Sequence, residues 1–188
     1  MNGAALPTTL PFASATEVYA AFPEIAADLT APCENRPPLD FLAALAASAT
    51  PEEALTFAAF ALERRLAIWW GHECLRQLAD RMTPRDLALM ELAAAWVAEP
   101  GDGTRGAALE AARESEAKTP GVWIALAAGW SSGSMTPADQ PAVPVPPHLC
   151  PRAINAAVLS ALARVDRPGR PAMLARFARM ARTLAEGG

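Results

Sequence analysis

Apolar residues recur at spacings of three and four along nearly the whole chain, as on one face of an α-helix, and no segment alternates like a half-buried strand. The last segment is the cleanest case: Leu174, Phe177, Ala181 and Leu184 line one face, with Arg176, Arg179 and Arg182 on the other. Helix starts carry Ser or Thr with a carboxylate three residues later, the arrangement that satisfies the first free backbone N–H groups. Ser14 with Glu17, Thr50 with Glu53 and Thr83 with Asp86 all fit it. Thr-Pro recurs at Thr50-Pro51, Thr83-Pro84, Thr119-Pro120 and Thr136-Pro137, and proline is well suited to the first helical position because its missing donor would be unpaired there anyway. These signals predict helices over 14–29, 38–48, 51–79 with a break around Glu63, 84–98, 104–117, 120–130, 152–164 and 170–185.

The fold expected is all-α, a compact irregular bundle of about eight helices with a proline-rich extended strap over 131–151. Residues 1–13 read as a flexible tail and 14–186 as a single helical domain. The first three Thr-Pro starts lie 33 and 36 residues apart, which makes a helix-pair repeat the alternative, although the side chains between them do not repeat.

Composition refines this picture. The chain has 188 residues, 52% of them hydrophobic, enough for a substantial core. Much of that content is alanine, so the mean hydropathy of +0.14 reflects closely packed helices. Charges or prolines interrupt every long apolar run, which argues against membrane insertion. The N-terminus lacks a basic segment and is broken by Pro7 and Pro11, so it does not read as a signal peptide, and a cytoplasmic location is expected. Cys33, Cys74 and Cys150 suit reduced thiols better than a disulfide framework. The net charge of −4 is uneven: residues 1–60 hold Arg36 against seven acids, and 141–188 hold seven arginines against Asp166 and Glu186. Such polarity can steer a partner or pair the chain's own two ends.

The candidate chemistry gathers where the helical pattern stops. Gly129-Trp130-Ser131-Ser132-Gly133 matches the G-x-S-x-G nucleophile elbow, with His148 the only histidine downstream. That motif needs a strand before it; here it ends an apolar helix, so a helix C-terminus with glycine in the left-handed region is the simpler reading. His72-Glu73-Cys74 and His148-Leu149-Cys150 imitate halves of a metal site, but residues i and i+2 on a helix point about 200° apart, and no C-x2-C is present. No catalytic residue, metal or cofactor is expected. Arg64-Arg65 precedes Trp69-Trp70, which cannot both face the core; proline stacks well on tryptophan, so the strap is expected to lie on Trp69 or Trp70. The competing reading is a groove for a partner's peptide. The arginines of the last helix suit a solvated face or an acidic partner, and they lack the interleaved aromatics that nucleic acid would need.

Several motifs together resemble a known family. They are Thr50-Pro51-Glu52-Glu53-Ala54, Ala61-Leu62-Glu63-Arg64-Arg65 leading into Trp69-Trp70 and Cys74, Ala95-Trp96-Val97 with Pro100, Gly129 to Ser134, and Pro146-Pro147-His148-Leu149. Over residues 48–165 the chain resembles an uncharacterised family of small alanine-rich bacterial proteins encoded near type VI secretion components. That pattern carries proline where Glu63 stands and a small residue where His72 stands. The resemblance implies a non-enzymatic adaptor or chaperone that holds a spike, effector or sheath component. The candidate partner-binding residues are Trp69, Trp70, Trp130, His148, Arg176, Arg179 and Arg182. The alternatives are an immunity protein whose acidic N-terminal half neutralises a basic toxin, and a serine hydrolase using Ser131 or Ser132 with His148.

Overall fold

The helices form where the periodicity places them, with ends set by proline, glycine and caps. The computed structural model describes residues 10–136 and 140–187. Within these, nine α-helices follow one another: α1 (Ala15–Ala21), α2 (Pro38–Ala46), α3 (Glu52–Ala61), α4 (Arg64–Arg76), α5 (Pro84–Ala98), α6 (Asp102–Arg113), α7 (Pro120–Gly129), α8 (Leu149–Leu162) and α9 (Arg170–Ala185). Short 3-10 turns follow α1 at Pro23–Ala27 and α4 at Ala79–Arg81. The described residues contain no strand, only an isolated antiparallel bridge between Ser134 and Pro144.

Two departures from the sequence-based boundaries, and one break that agrees with them, have local causes. The helix expected over 14–29 breaks at Phe22, because Pro23 disfavours helical geometry in the residue before it; Phe22 takes φ −133° and ψ 76°. The break around Glu63 is present, and Glu63 makes it by accepting the backbone N–H of Arg65 and Leu66 as the N-cap of α4. Thr50 does not cap α3. Pro51 holds that position, while Glu53 is buried and accepts the Thr30 and Ala31 amides at 2.9 and 3.1 Å together with the Thr30 hydroxyl. Of the expected tail, residues 1–9 lie outside the described residues, as does Pro137 of the last Thr-Pro pair; Leu10 and Phe12 pack against the core.

The centre of the bundle is α7. Nine of its ten residues are buried, so it has no solvent face, and α4, α5, α6 and α8 pack around it. Close approach at each end depends on glycine. A β-carbon on Gly121 would come within 2.5 Å of the Asp86 Cα, and one on Gly129 within 2.6 Å of the Leu109 Cβ. The helix-pair spacing does not develop into a solenoid, since α9 returns against α2, α3 and α4 instead of stacking onto its sequence neighbour alone.

Asp86 joins three elements. It completes the capping box of α5 with Thr83, accepts the Gly121 amide at the start of α7 at 3.0 Å, and pairs with Arg164 just beyond α8 at 3.1 Å. Burial pushes its carboxyl up, but the Thr119 hydroxyl, the Thr83 amide, Arg164 and the Gly121 amide outweigh that and hold it below its usual range. The two oppositely charged ends of the chain also meet: Arg152 grips Asp28 through two nitrogens at 2.7 and 3.1 Å, and His148 Nδ1 lies 3.1 Å from Glu24.

Gly121→Ala should cost at least about 1–3 kcal/mol in urea unfolding, because backbone and not a flexible side chain blocks the new methyl group. A depressed folded-state pKa means that Asp86 contributes its full stabilisation above the unfolded value of about 4 and loses it as pH falls through the folded value. Urea midpoints measured from neutral pH down to about pH 2 should therefore fall more steeply below pH 4 in the native chain than in Asp86→Asn.

Candidate functional site

The structure separates the two adjacent tryptophans as helical geometry requires. Trp70 is fully buried and donates its indole N–H to the Phe177 carbonyl of α9 at 3.0 Å, so it is a core residue and the expectation that it meets a partner is corrected. Trp69 points along the outside, stacked on His72 with ring centroids 5.1 Å apart. There it lines a shallow groove of about 430 Å³ between α4 and α9 with Glu73, Arg176, Arg179, Met180 and Leu184. Arg176 and Arg179 are exposed and form no ion pair among the described residues. Glu73 is held at the groove by Arg76, whose guanidinium binds both of its oxygens.

Three of the candidate residues, Trp69, Arg176 and Arg179, thus converge on one surface, and four do not. Arg182 is paired with Glu186 at 2.8 Å, His148 with Glu24, Trp130 caps the end of α7, and Trp70 lies inside. The sequence signal that found the groove was the arginine face of α9; that Trp69 would be its aromatic partner depended on how α4 and α9 pack.

Among the described residues the strap makes its hydrogen bonds away from Trp69 and Trp70, so the expected stacking is not what holds it. It folds back on itself, with Met135 N–H bonding the Val143 carbonyl at 2.8 Å and Val145 N–H the Gly133 carbonyl at 3.2 Å. Arg113 of α6 donates to the Met135 carbonyl at 2.8 Å, and the two ends of the segment are held by Arg64 on the Ser131 carbonyl and by His148 facing Glu24. Two glycines shape its start. Gly133 takes φ +81° with Arg105 packed where a side chain would be, whereas Gly129 stays inside the helix. The left-handed residue expected at this helix end is therefore Gly133, after an intervening turn.

A second recess of about 520 Å³ lies where α3 meets α4. It is lined by Phe12, Phe22, Phe60, Trp96, Pro147 and Cys150, with Glu63, Arg64 and Arg65 at the same junction and Ser131 and Ser132 on its wall. Phe22 stands edge-on between Phe12 and Phe60, at 6.1 and 5.4 Å. The Ser131 hydroxyl is buried and has no hydrogen-bond partner among the described residues, and neither serine is bonded to His148, whose Nδ1 faces Glu24. Burial pushes the Cys150 thiol up to about 12, and burial likewise raises that of Cys74. A raised thiol pKa leaves both sulfurs protonated and poor as nucleophiles or metal ligands. Among the described residues no three His, Cys, Asp or Glu side chains are gathered as a metal ion would need, and no helix is long and apolar enough to cross a membrane.

Trp70→Ala should cost about 3–5 kcal/mol, since it empties a closed site and removes the indole bond to α9. Trp69→Ala should cost less, about 1 kcal/mol, because the ring lies at the surface and is only partly buried. Parallel urea titrations of the two variants compare these positions directly.

Comparison with curated proteins and with solved structures gives no match. A family model does match, over residues 41–185, from within the second helix through the last; it takes in the whole groove between α4 and α9 and all of the α3–α4 recess except its Pro11, Phe12 and Phe22 wall. The chain belongs to the family of unknown function DUF6931.

Proposed function

We propose that this protein is a non-enzymatic protein-binding accessory factor, and that the groove between α4 and α9 receives its partner. The observation that carries this reading is the convergence of a partly buried, groove-lining Trp69 with Arg176, Arg179, Met180 and Leu184. Tryptophan and arginine dominate binding energy at protein interfaces because each combines a broad apolar surface with directional polar atoms. The guanidinium groups have no acid partner among the described residues, so a partner supplying carboxylates beside an apolar anchor complements them without displacing a described salt bridge. A short acidic amphipathic helix has that chemistry.

The setting we propose is a contractile secretion machine of the type VI class, with a spike, effector or sheath component as partner and a cytoplasmic role as adaptor or chaperone. The support for that setting is the motif resemblance. The immunity reading draws on a free acidic N-terminal half, and Glu24 and Asp28 are already engaged by His148 and Arg152.

A tagged copy expressed in its native host should retain a protein partner, and the charge reversal of Arg176 and Arg179 to Glu should reduce recovery at least about tenfold while circular dichroism stays native. Recovery of the native protein alone and monomeric counts against the binding role. A partner retained equally by the charge-reversed form moves the interface elsewhere.

A further inference from the structure

The recess at the α3–α4 junction has a chemistry unlike that of the groove between α4 and α9. Its body is aromatic and apolar, and its volume of about 520 Å³ falls within the range of sites that enclose small molecules. Two guanidinium groups stand at the junction. Arg65 is spent on the C-terminal end of α5, donating to the carbonyls of Val97 and Ala98 at 2.6 and 3.3 Å. Arg64 uses one nitrogen on the Ser131 carbonyl at 2.5 Å and forms no ion pair among the described residues. A guanidinium has five N–H donors, so most of those on Arg64 are uncommitted. The carboxylate lining the same recess, that of Glu63, is held back by the first amides of α4, accepting from Arg65 and Leu66 at 2.9 and 3.2 Å. On the same residue whose carbonyl Arg64 grips, the Ser131 hydroxyl is closed from solvent and has no partner among the described residues. An uncommitted cation over an apolar, aromatic recess, with an unsatisfied hydroxyl in its wall, matches one ligand chemistry: an anionic head on a hydrophobic body.

We propose that this recess binds a small amphipathic monocarboxylate, with its apolar body against Phe22, Phe60 and Trp96 and its carboxylate on Arg64. A planar carboxylate suits the guanidinium fork, and the aromatic wall takes an alkyl or aryl body without needing polar partners. This site is independent of the groove between α4 and α9, and each can fail without the other.

The test is isothermal titration calorimetry of the full chain with decanoate, with decanol as the uncharged body and acetate as the bare head. Decanoate should bind, decanol at least about tenfold more weakly, and acetate not measurably. Arg64→Ala should weaken decanoate at least about tenfold, and the double variant Arg176→Ala/Arg179→Ala should leave it unchanged. Arg64→Gln keeps a donor for the Ser131 carbonyl and carries the test if the alanine variant proves unfolded by circular dichroism. No heat with decanoate, equal affinity for decanol, an unchanged affinity in the folded Arg64 variant, or loss of binding in the α9 double variant each overturns the proposal.

Discussion

A helix with no solvent-facing side is the constraint from which the rest of this architecture follows. Every side of α7 must be covered, and a helix about 10–12 Å across needs several neighbours to do it. The bundle wraps α4, α5, α6 and α8 around it, and the remaining helices close over that inner layer. Small residues on α7 let the neighbours come close, and Gly121 and Gly129 set the two points of nearest approach. The buried Asp86 then fixes the angle at one end, because a carboxylate removed from water is tolerable only with its oxygens occupied. Its partners come from α5, from the start of α7 and from beyond α8, so those elements are positioned together or not at all.

Arginine holds the outer layer by a different device. Its side chains repeatedly end on backbone carbonyls at the ends of neighbouring helices: Arg65 on Val97 and Ala98, Arg85 on Ala111, Arg81 and Arg164 on each other's carbonyls, Arg105 on Gly129. The last carbonyls of a helix have no internal partner and carry the negative end of its dipole, so a cation from an adjacent helix satisfies both needs. The planar fork of arginine reaches two such groups at once, which a lysine ammonium does less well, and Lys118 is the sole lysine of the chain. Most of the basic charge is therefore structural. Arg176 and Arg179 stand apart because they cap nothing in their own fold, and it is this contrast that gives the α4–α9 groove its interest.

The features that looked most like chemistry in the primary structure became architecture in three dimensions. Gly129 to Gly133 ends a helix and opens a hairpin, and His148 closes onto the N-terminal turn through Glu24. The charge asymmetry between the two ends of the chain resolves in part into internal pairs, Arg152 with Asp28 above all. The recess around Arg64 gave no signal of its own, because its walls come from six separate stretches of chain that only packing brings together.

Helical class, the approximate ends of most helices, the capping box at Thr83 and the break at Glu63 were all legible in the sequence, because each depends on residues within a few positions of one another. The arginine face of α9 was legible for the same reason. Tertiary structure alone decided that Glu53 would leave its own cap for Thr30, that Trp70 would turn inward and Trp69 outward, and that the proline-rich segment would pair with itself beside α6. Those outcomes depend on which distant helix arrives at a given face. Periodicity specifies that a face must be covered, and only the packing of the whole chain specifies by what.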